Sequence, residues 1–469
     1  MATTSKATLD SLFKPQSIAL IGAAHTEEKL GGVILKSLLK FKGRVYPVNP
    51  KYKELMGIKA YPAAADIPEP VDLTIIMRPA AEVPEIISSL RDKTKTIIIM
   101  SSGFAETGEN ALQDKVKKAG RDIGARMLGP NCMGLYNPYH RLDTFFLPEN
   151  RLKRPKKGNV SVVSQSGAIL SCLLGALDAS NSGISKAIGY GNAIDIDEAD
   201  LFEYLAGDRR TDVVISYIES VGDGRKFIEK AKALSKKKPL LILKSGKGES
   251  GQSAAFSHTG RLAGRYEVFH SILKQFGIQE AEDFDVLMDA TKALAYQGKF
   301  TPPAPPLGCE SYRLSKGGIG KRVLVITNGG GSGVLAADEC MKQGLEVAKL
   351  PEDKIEKLKN IFPHFYGINN PVDLTAQVKD EDYTLALNEL KDAYDGFVII
   401  ALPNVNGITM KLADIMKDAK KNISKPVVFY VSDGETSKKL IKGLEKAKIP
   451  VYPSPERAVR AIRALLTHT

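Results

Sequence analysis

The sequence has few cysteines and no long apolar run. Its four cysteines, Cys132, Cys172, Cys309 and Cys340, are scattered without paired spacing. This argues against a disulfide framework or a zinc site and is typical of a reducing compartment. Residues 1–17 lack the apolar core of a signal peptide, and no run of about 18 apolar residues occurs elsewhere. We therefore expect a soluble, cytoplasmic protein that does not bind membranes.

The signatures of several common enzyme and binding classes are also missing. The chain has no Walker A loop and no protein-kinase motif set, so it is not expected to hold a nucleoside triphosphate itself. The histidines show no metal-ligand spacing, and we predict no metal site. Lys and Arg outnumber Asp and Glu by 66 to 54, but these charges are interspersed and no basic, aromatic module occurs. That pattern favours anionic small molecules or an acidic partner over nucleic acid.

What the chain does contain is a repeated order of strand, glycine turn and helix. At 469 residues it is too long for one core, and roughly 150 residues per domain suggests about three domains. Three apolar runs each lead into a glycine-bearing turn and then into helical periodicity: IALIGAA (18–24), VSVVSQSGA (160–168) and RVLVITNGGGSG (322–333). In each segment that follows, further strands alternate with helices, which predicts parallel α/β sheets.

The predicted fold class is therefore α/β with three doubly wound domains. We place the domains at residues 1–152, 153–298 and 321–469, with a linker at 299–320. Residues 153–157 form a basic, proline-bearing stretch without hydrophobic periodicity, and the linker is rich first in proline and then in glycine. Doubly wound sheets bind ligands beyond the carboxyl ends of their strands, so the loops at those ends carry the candidate residues.

The first domain offers a nucleotide-type site. The turn at residues 22–29 stands where phosphate binds to helix N–H groups, but it is not G-x-G-x-x-G. The second strand ends in Asn49-Pro50-Lys51 instead of the acid that holds an NAD ribose. A lysine there suits a phosphorylated ribose, so NADP or coenzyme A is favoured; a domain that binds no nucleotide is the alternative. The candidate residues are Gly22, Ala23, Ala24, His25, Thr26, Lys29, Asn49, Lys51, Arg78, Pro79, Ser102, Gly103, Phe104 and Asn131.

Two further turns present helix N-termini at strand ends. In the second domain, residues 165–168 open an apolar helix, and residues 329–331 do the same in the third domain. The N–H groups and positive dipole end of such a helix suit phosphate. The same turns also occur simply to permit tight packing of strand against helix. The candidate phosphate-binding residues are Gln165, Ser166, Gly167, Ala168, Gly329, Gly330 and Gly331.

A long glycine-rich loop carries a single histidine. Residues 244–265 read KSGKGESGQSAAFSHTGRLAGR and place His258 just before an apparent helix. The glycines suit movement or close approach to a ligand, although a solvated connection is the alternative. A histidine that accepts a phosphoryl group attacks as neutral imidazole, with its second nitrogen hydrogen-bonded. Glu219 ends the preceding strand and is the natural partner, unless it is a surface charge or a helix N-terminal carboxylate.

Taken together, these motifs resemble one family over nearly the whole chain. It is the alpha subunit of ADP-forming acetyl-CoA (acyl-CoA) synthetase, within the nucleoside-diphosphate-forming succinyl-CoA synthetase superfamily. The motifs are GAAHTEEKLGG, GPNCMG, VSQSGA, GYGNAIDIDEADL, SYIES, KSGKGESGQSAAFSHTG, ITNGGGSGV and NPVDLTA. The resemblance implies a Rossmann-like CoA-binding domain followed by two flavodoxin-like domains. It also implies that His258 is transiently phosphorylated, that Glu219 steadies it, and that the helices after Ser166 and Gly330 face the phosphoryl group.

The resemblance further implies an acid-thiol ligase. The expected reaction is acyl-CoA + ADP + phosphate ⇌ carboxylic acid + ATP + CoA, through an acyl phosphate and a phosphohistidine. The family's nucleotide site is an ATP-grasp domain absent from this sequence, so ADP or ATP and Mg²⁺ are expected on a separate beta subunit, in an α2β2 assembly. Asn192, Asp195 and Asp373 are expected near the site without an assigned role.

Two other functions remain open at this point. A CoA-binding regulatory or acyl-transfer protein with the same domains would bind CoA without phosphoryl transfer, and the pair of His258 and Glu219 argues against it. An NADP-dependent dehydrogenase is disfavoured by the missing dinucleotide fingerprint and the missing hydride-transfer residues. The identity of the acyl group is not predicted.

Overall fold

The computed structural model describes residues 4–245, 266–276, 278–297, 320–403, 407–432 and 435–467. The chain divides into two compact units, Met1–Glu282 and Asp283–Thr469. The predicted α/β class with parallel sheets is confirmed in both units. The division into three domains at the residues given above stays a prediction.

The first unit begins with a five-stranded parallel sheet. Its strands and those of a small hairpin are β1 (Ser17–Ile21), β2 (Arg44–Val48), β3 (Glu54–Leu55), β4 (Ile58–Lys59), β5 (Val71–Ile76), β6 (Thr94–Ile99) and β7 (Arg126–Leu128). The sheet order is β2-β1-β5-β6-β7, and β3 pairs with β4. Every residue of β1 is buried, as expected when helices cover both faces of a parallel sheet. The helices are α1 (Thr4–Phe13), α2 (Leu30–Leu38), α3 (Val83–Ser89) and α4 (Asn110–Ile123).

A seven-stranded sheet completes the first unit. Its strands are β8 (Gly134–Asn137), β9 (Leu142–Asp143), β10 (Lys157–Ser164), β11 (Ile184–Gly189), β12 (Val213–Ile218), β13 (Leu240–Lys244) and β14 (Gln279–Ala281), in the order β14-β13-β12-β10-β11-β8-β9. Strands β8 and β9 are antiparallel additions at the edge, next to β11. They come from the segment that the sequence analysis placed in the first domain. The helices are α5 (Gly167–Ala179), α6 (Glu198–Ala206), α7 (Gly224–Ser235) and α8 (Tyr266–Gln275).

The second unit is a five-stranded parallel sheet with its own helices. The strands are β15 (Val323–Thr327), β16 (Val372–Asp373), β17 (Gly396–Ala401), β18 (Val427–Val431) and β19 (Val451–Tyr452), in the order β16-β15-β17-β18-β19. The helices are α9 (Phe284–Gln297), α10 (Gly330–Lys342), α11 (Glu352–Ile361), α12 (Asp380–Leu390), α13 (Lys411–Ala419), α14 (Glu435–Lys446) and α15 (Pro455–Thr467).

Helix α9 packs on the second unit, although its residues fall within the segment predicted as the middle domain. Asp289 on α9 accepts a hydrogen bond from Arg457 Nη2 at 2.7 Å, and the Tyr452 hydroxyl donates to the Asp289 carbonyl oxygen at 3.0 Å. Short 3₁₀ helices occupy Ala64–Asp66, Ala80–Glu82, Ala105–Thr107 and Lys420–Asn422. Among the helices in the described parts of the chain, none is both long and apolar enough to cross a membrane.

Candidate active site

The strand register gathers the candidate residues of the second sheet at one edge. In β10, Ser164 pairs with Gly189 of β11 and with Tyr217 of β12. The residues that follow these strand ends, including Gln165 and Glu219, therefore lie at the carboxyl edge of the sheet, where ligands of doubly wound folds bind. His258 lies outside the described residues.

Gln165 holds the backbone of Glu219 in place. Its Oε1 accepts hydrogen bonds from the backbone nitrogens of Glu219 at 2.9 Å and Ser220 at 3.0 Å, and its Nε2 donates to Ser220 Oγ at 3.2 Å. The Lys244 ammonium donates to the carbonyl oxygen of Glu219 at 2.7 Å. Both Gln165 and Glu219 are buried. The carboxylate is thus carried on a rigid turn. Sequence reasoning identified Gln165 and Glu219 separately and missed the bond between them.

Tyr217 lies beside the Glu219 carboxylate. Burial raises the pKa of the Tyr217 hydroxyl, a hydrogen bond with Ser245 opposes that rise, and the negative charge of Glu219 adds to it. The hydroxyl therefore remains protonated at neutral pH and can donate a hydrogen bond. This residue was missed in the sequence because a tyrosine within a strand gives no signal of its own.

Helix α5 begins at the same edge. Its N-cap is Ser166, whose Oγ accepts from the backbone nitrogen of Ile169 at 3.4 Å. First-turn N–H groups of a helix have no acceptor within the helix, and the dipole adds positive potential there. A cavity of about 430 Å³, called the second cavity below, is lined by Gln165, Ser166, Gly167 and Ala168 among others. The predicted phosphate-binding residues of this sheet therefore all face one space.

A larger cavity of about 750 Å³, called the first cavity, lies at the carboxyl edge of the first sheet. Tyr52, Leu30, Met77 and Ser101 line it and were missed by the sequence analysis. Eleven of the fourteen residues predicted to bind nucleotide line it: Gly22, Ala23, Ala24, His25, Thr26, Lys29, Asn49, Lys51, Arg78, Pro79 and Ser102.

The other three predicted residues lie elsewhere. Asn131 lines the second cavity. The side chain of Phe104 is completely buried in the core of the first sheet, so it packs there instead of facing a ligand. Gly103 has φ +104° and donates its N–H to Glu106 Oε1 at 2.7 Å, which indicates a role in shaping the loop.

The first cavity is basic and tightly built. Lys29, Lys51 and Arg78 line it, and the Arg78 guanidinium is held by Glu82 at 2.7 Å. Gly22 has φ +91°, and a Cβ there would stand 2.2 Å from the Met77 carbonyl oxygen, so only glycine fits. The cavity is therefore suited to an anionic ligand that approaches the backbone closely.

An aromatic pair marks one wall of the first cavity. The rings of His25 and Tyr52 are stacked with centroids 6.2 Å apart, and Tyr52 is exposed. Such flat, accessible rings can pack against a base. The signal in the sequence was an aromatic residue directly after Lys51, in a loop at a strand end.

The two cavities adjoin each other. Leu30, Met77, Ser101 and Ser102 line both of them. The walls of the second cavity that are not shared include Met133, Phe146 and Leu147, which make that part apolar. A long ligand can thus extend from the basic cavity, past the shared residues, to the N-terminus of α5.

Of the residues expected near the site without a role, two lie in the first unit. Asp195 accepts from Arg126 Nε at 2.9 Å and from the backbone nitrogen of Met127 at 2.7 Å, so it joins the two sheets and lines neither cavity. Asn192 is 5% exposed and hydrogen-bonds to Asn131. It therefore supports the second cavity from behind.

The glycine turn of the second unit repeats the arrangement of the first. Gly329 is the N-cap of α10, and Gly330 begins that helix. A Cβ on Gly330 would stand 3.0 Å from Asp373 Oδ2, so Asp373 lies beside this helix start. Asn328 acts as Gln165 does: its Oδ1 accepts from the Leu402 backbone nitrogen at 2.8 Å and so joins neighbouring strand ends. Across the described residues, no group of three or more His, Cys, Asp or Glu could hold a metal ion.

Comparison with known proteins identifies the family. The chain matches a CoA binding domain at residues 16–138, a succinyl-CoA ligase like flavodoxin domain at 157–294 and a ligase-CoA domain at 323–465. It is 38% identical over 468 residues to the alpha subunit of acetate–CoA ligase [ADP-forming] II of Pyrococcus furiosus, covering 98% of this chain and 97% of that subunit. The chain belongs to the family of ADP-forming acetate–CoA ligase alpha subunits.

Other members of this family differ in length. The acetate–CoA ligase [ADP-forming] of Methanocaldococcus jannaschii is 36% identical over 97% of this chain, which spans 62% of that longer protein. Among solved structures, the dinucleotide forming acetyl-coenzyme A synthetase 1 of Ca. Korarchaeum cryptofilum, in complex with phosphate and ADP, superposes with a TM-score of 0.88 at 34% identity. That match covers 98% of this chain and 96% of the other.

Proposed function

We propose that this chain is the alpha subunit of an ADP-forming acyl-CoA synthetase, an acid-thiol ligase. The reaction is acyl-CoA + ADP + phosphate ⇌ carboxylic acid + ATP + CoA, by way of an acyl phosphate and a phosphohistidine at His258. The observation that carries the proposal is the pair of adjoining cavities. One is basic, and the other ends at the N-terminus of α5 beside the turn that holds Glu219.

Coenzyme A occupies the first cavity in this proposal. Its phosphates are neutralised by Lys29, Lys51 and Arg78, and its adenine packs on the exposed ring of Tyr52. The pantetheine arm then passes Met77 and the two shared serines and brings the thioester into the second cavity. The acyl group packs against the apolar side chains there, while phosphate lies on the first-turn N–H groups of α5.

The chemistry proceeds in two transfers on this chain. A phosphate oxygen attacks the thioester carbonyl carbon, the C–S bond breaks, and CoA leaves as the thiolate, which takes up a proton. The neutral imidazole of His258 then attacks the phosphorus of the acyl phosphate, and the carboxylate leaves. The positive end of α5 stabilises the negative charge on the transferring group.

Glu219 has a positioning role in this scheme. It accepts the N–H of the second imidazole nitrogen, which fixes the tautomer and stabilises the phosphorylated ring. The hydrogen bonds that the side chains of Gln165 and Lys244 make with the backbone of Glu219 keep that carboxylate in register with the start of α5. The predicted phosphate-binding glycines of the second unit, Gly329 to Gly331, bind phosphate at the start of α10 in the proposal.

The phosphoryl group next passes to ADP on a partner. A separate beta subunit with an ATP-grasp domain binds ADP or ATP with Mg²⁺, and the assembly is α2β2. Support comes from the family itself, in which a relative that aligns with this chain over nearly its full length is named an alpha subunit and another is a longer single chain. The histidine loop is expected to travel between the two sites. A cytoplasmic location is part of the proposal, and its support is the four cysteines without paired spacing, which are typical of a reducing compartment.

Labelling with radioactive ATP tests the proposal directly. The chain, incubated with its beta partner and γ-labelled ATP, is expected to carry an acid-labile, base-stable label that His258→Ala abolishes. His270→Ala is the matched control. His270 lies on α8, its Nδ1 is 2.6 Å from Glu280 Oε2, and it lines neither cavity. An unchanged label in His258→Ala would reject the phosphohistidine. CoA binding without any label in the wild type would favour a regulatory CoA-binding protein instead.

A further inference from the structure

Three side chains form a hydrogen-bonded relay behind the second cavity. Glu106 Oε2 accepts from Asn192 Nδ2 at 2.5 Å, and Asn192 Oδ1 accepts from Asn131 Nδ2 at 3.4 Å. Asn192 Nδ2 also donates to Gln113 Oε1 at 3.0 Å. The relay runs from the loop after β6, through the loop after β11, to Asn131 in the wall of the second cavity.

Glu106 sets the direction of this relay because a carboxylate only accepts hydrogen bonds. Its Oε1 accepts from the backbone nitrogens of Gly103 at 2.7 Å and Phe104 at 3.2 Å, and Oε2 accepts from Asn192. The amide of Asn192 must therefore turn its NH₂ group towards Glu106 and its oxygen towards Asn131. Asn131 must in turn direct its own NH₂ group at Asn192.

The backbones of the two asparagine loops are already locked together. The Asn192 backbone nitrogen donates to the Pro130 carbonyl oxygen at 3.0 Å, and the Asn131 nitrogen donates to Ser101 at 2.8 Å. Gly191 has φ +60°, and a Cβ there would stand 2.3 Å from the Pro130 oxygen. With the main chain held in this way, the orientation of the Asn131 amide is the degree of freedom that the relay controls.

We propose that Glu106 is a positioning residue that acts through Asn192 to orient the amide of Asn131, whose Oδ1 then accepts a hydrogen bond from the pantetheine arm of CoA. The inference rests on the function proposed above. Amide N–H groups and the thiol of pantetheine are donors, whereas phosphate at neutral pH and a carboxylate product chiefly accept. Asn131 thereby contributes to binding CoA, and the α5 terminus in the same cavity is left for phosphate.

Reversing the polarity of the relay tests this role. In Glu106→Gln, the new amide can turn its NH₂ group towards the backbone N–H groups or towards the NH₂ group of Asn192, and in both cases two donors face each other. The orientation of the Asn192 amide, and with it that of Asn131, is then no longer fixed. Adding Asn192→Asp gives every donor in the relay an acceptor again. The carboxylate introduced at position 192 accepts from both the Asn131 amide and the new amide at position 106, and the Gln113 amide turns to donate. The pair of changes keeps the total charge of the wild-type chain.

Calorimetric titration of the full-length alpha chain with CoA is the measurement. We expect Glu106→Gln to weaken CoA binding by about tenfold, as for a lost buried hydrogen bond, and the double variant to recover most of that loss. Glu109→Gln is the control, since Glu109 is exposed and makes no side-chain capping bond at α4. Thermal unfolding of the wild type and the three variants separates a loss of fold from a loss of orientation of the Asn131 amide.

Each outcome decides between distinct conclusions. Wild-type affinity in Glu106→Gln would overturn the relay while leaving the proposed function intact. Equal weakening in the single and double variants would also overturn it, because a merely structural defect is not repaired by Asn192→Asp. A wild-type chain that does not bind CoA at all would instead overturn the proposed function, and the relay's role with it.

Discussion

The side-chain oxygen of Gln165 lies 2.9 Å from the backbone nitrogen of Glu219 and accepts its hydrogen bond. One residue thus joins the turn that begins helix α5 to the turn that carries the acidic side chain. In the proposed function, this contact keeps a phosphoryl group bound at α5 in register with a histidine held by Glu219. Changes at Gln165 should therefore affect both stability and catalysis, and two substitutions separate these effects.

Gln165→Leu should destabilise the fold. It leaves the buried backbone N–H groups of Glu219 and Ser220 without their acceptor, at a cost of about 2 kcal/mol in the free energy of unfolding. Gln165→Glu keeps an acceptor for both N–H groups, so it should lose less unfolding free energy than the Leu variant, while its added negative charge repels phosphate. Urea unfolding and ATP formation with the beta partner measure the two effects. Equal stability of the Leu variant and the wild type would contradict the account.

Glu219→Gln should slow phosphohistidine formation by about 10²-fold, because the imidazole N–H loses its carboxylate acceptor. The backbone of this residue makes the contacts to Gln165 and Lys244, so the turn should keep its structure. Rapid quenching of the labelling reaction measures the rate, and circular dichroism checks the fold. A variant that is labelled at the wild-type rate would remove Glu219 from the mechanism.

Removing cations from the first cavity should weaken CoA binding. Lys29→Ala and Lys51→Ala are each expected to raise the Kd for CoA by about threefold to tenfold, and the effect should shrink as salt is added. Lys53→Ala provides the control, because this lysine is exposed on the same loop but does not line the cavity. Calorimetry on the full chain at two salt concentrations checks the prediction. An equal change for Lys53→Ala would contradict a specific role, and tighter binding of NADP than of CoA would overturn the ligand assignment.

Asp208→Asn should destabilise the first unit by about 3 kcal/mol, because it leaves the buried ammonium of Lys186 without its counter-ion. Lys186→Met in the same chain should recover part of the loss. Burial by itself raises the pKa of the Asp208 carboxyl, but hydrogen bonds from Lys186 and Thr211 outweigh it, and the pKa is lowered. The stabilisation is therefore present at neutral pH and is lost as the pH falls below about 4. Urea unfolding should show that wild type and Asp208→Asn differ less in free energy of unfolding near pH 3 than at pH 7. An equal difference at both pH values would contradict this.

Cys132 should not react with thiol reagents in the folded protein, even though it lines the second cavity. Burial raises the pKa of its thiol to about 12, so almost no thiolate exists at neutral pH. Among the cysteines in the described residues, Cys172 is exposed and should be modified before Cys132. Mass spectrometry of peptides after brief iodoacetamide treatment measures the order. Cys132→Ala should also retain turnover, and a large loss of activity would instead indicate a nucleophilic thiol.

Much of the fold could be predicted because the buried strands are short, apolar and separated by glycine turns. The run IALIGAA became β1, and VSVVSQSGA became β10 followed by the start of α5. These are local signals, since a strand buried on both faces needs a continuous apolar run. The edge hairpin of β8 and β9 gave no such signal. Its four-residue strand Gly134–Asn137 gains its place from pairing with β11, some 50 residues later in the chain.

The residues of the candidate site likewise divide into those with a local sequence signal and those that depend on distant contacts. That Gly22, Lys51 and Gln165 line the cavities could be predicted, because each follows a strand end, where ligands of doubly wound folds bind. Glu106 could not, because its role depends on Asn192, which is 86 residues away along the chain. The side chain of Phe104 is buried in the core instead of lining a cavity, because position after a strand does not tell which side of the loop a side chain takes.

The hairpin at the edge of the second sheet constrains how substrates reach the site. Strand β7 ends at Leu128 in the first sheet, and β8 begins at Gly134 in the second. A hinge motion that parted these two sheets would have to be absorbed in residues 129–133, which include Asn131 and Cys132 of the second cavity. The backbone bonds of Asn192 and Ile194 to that segment would break as well. If CoA binds as proposed, it should enter and leave along the open rim of the first cavity, with the two sheets moving as one body. Small-angle scattering should then record no change in the distance between the sheets on binding.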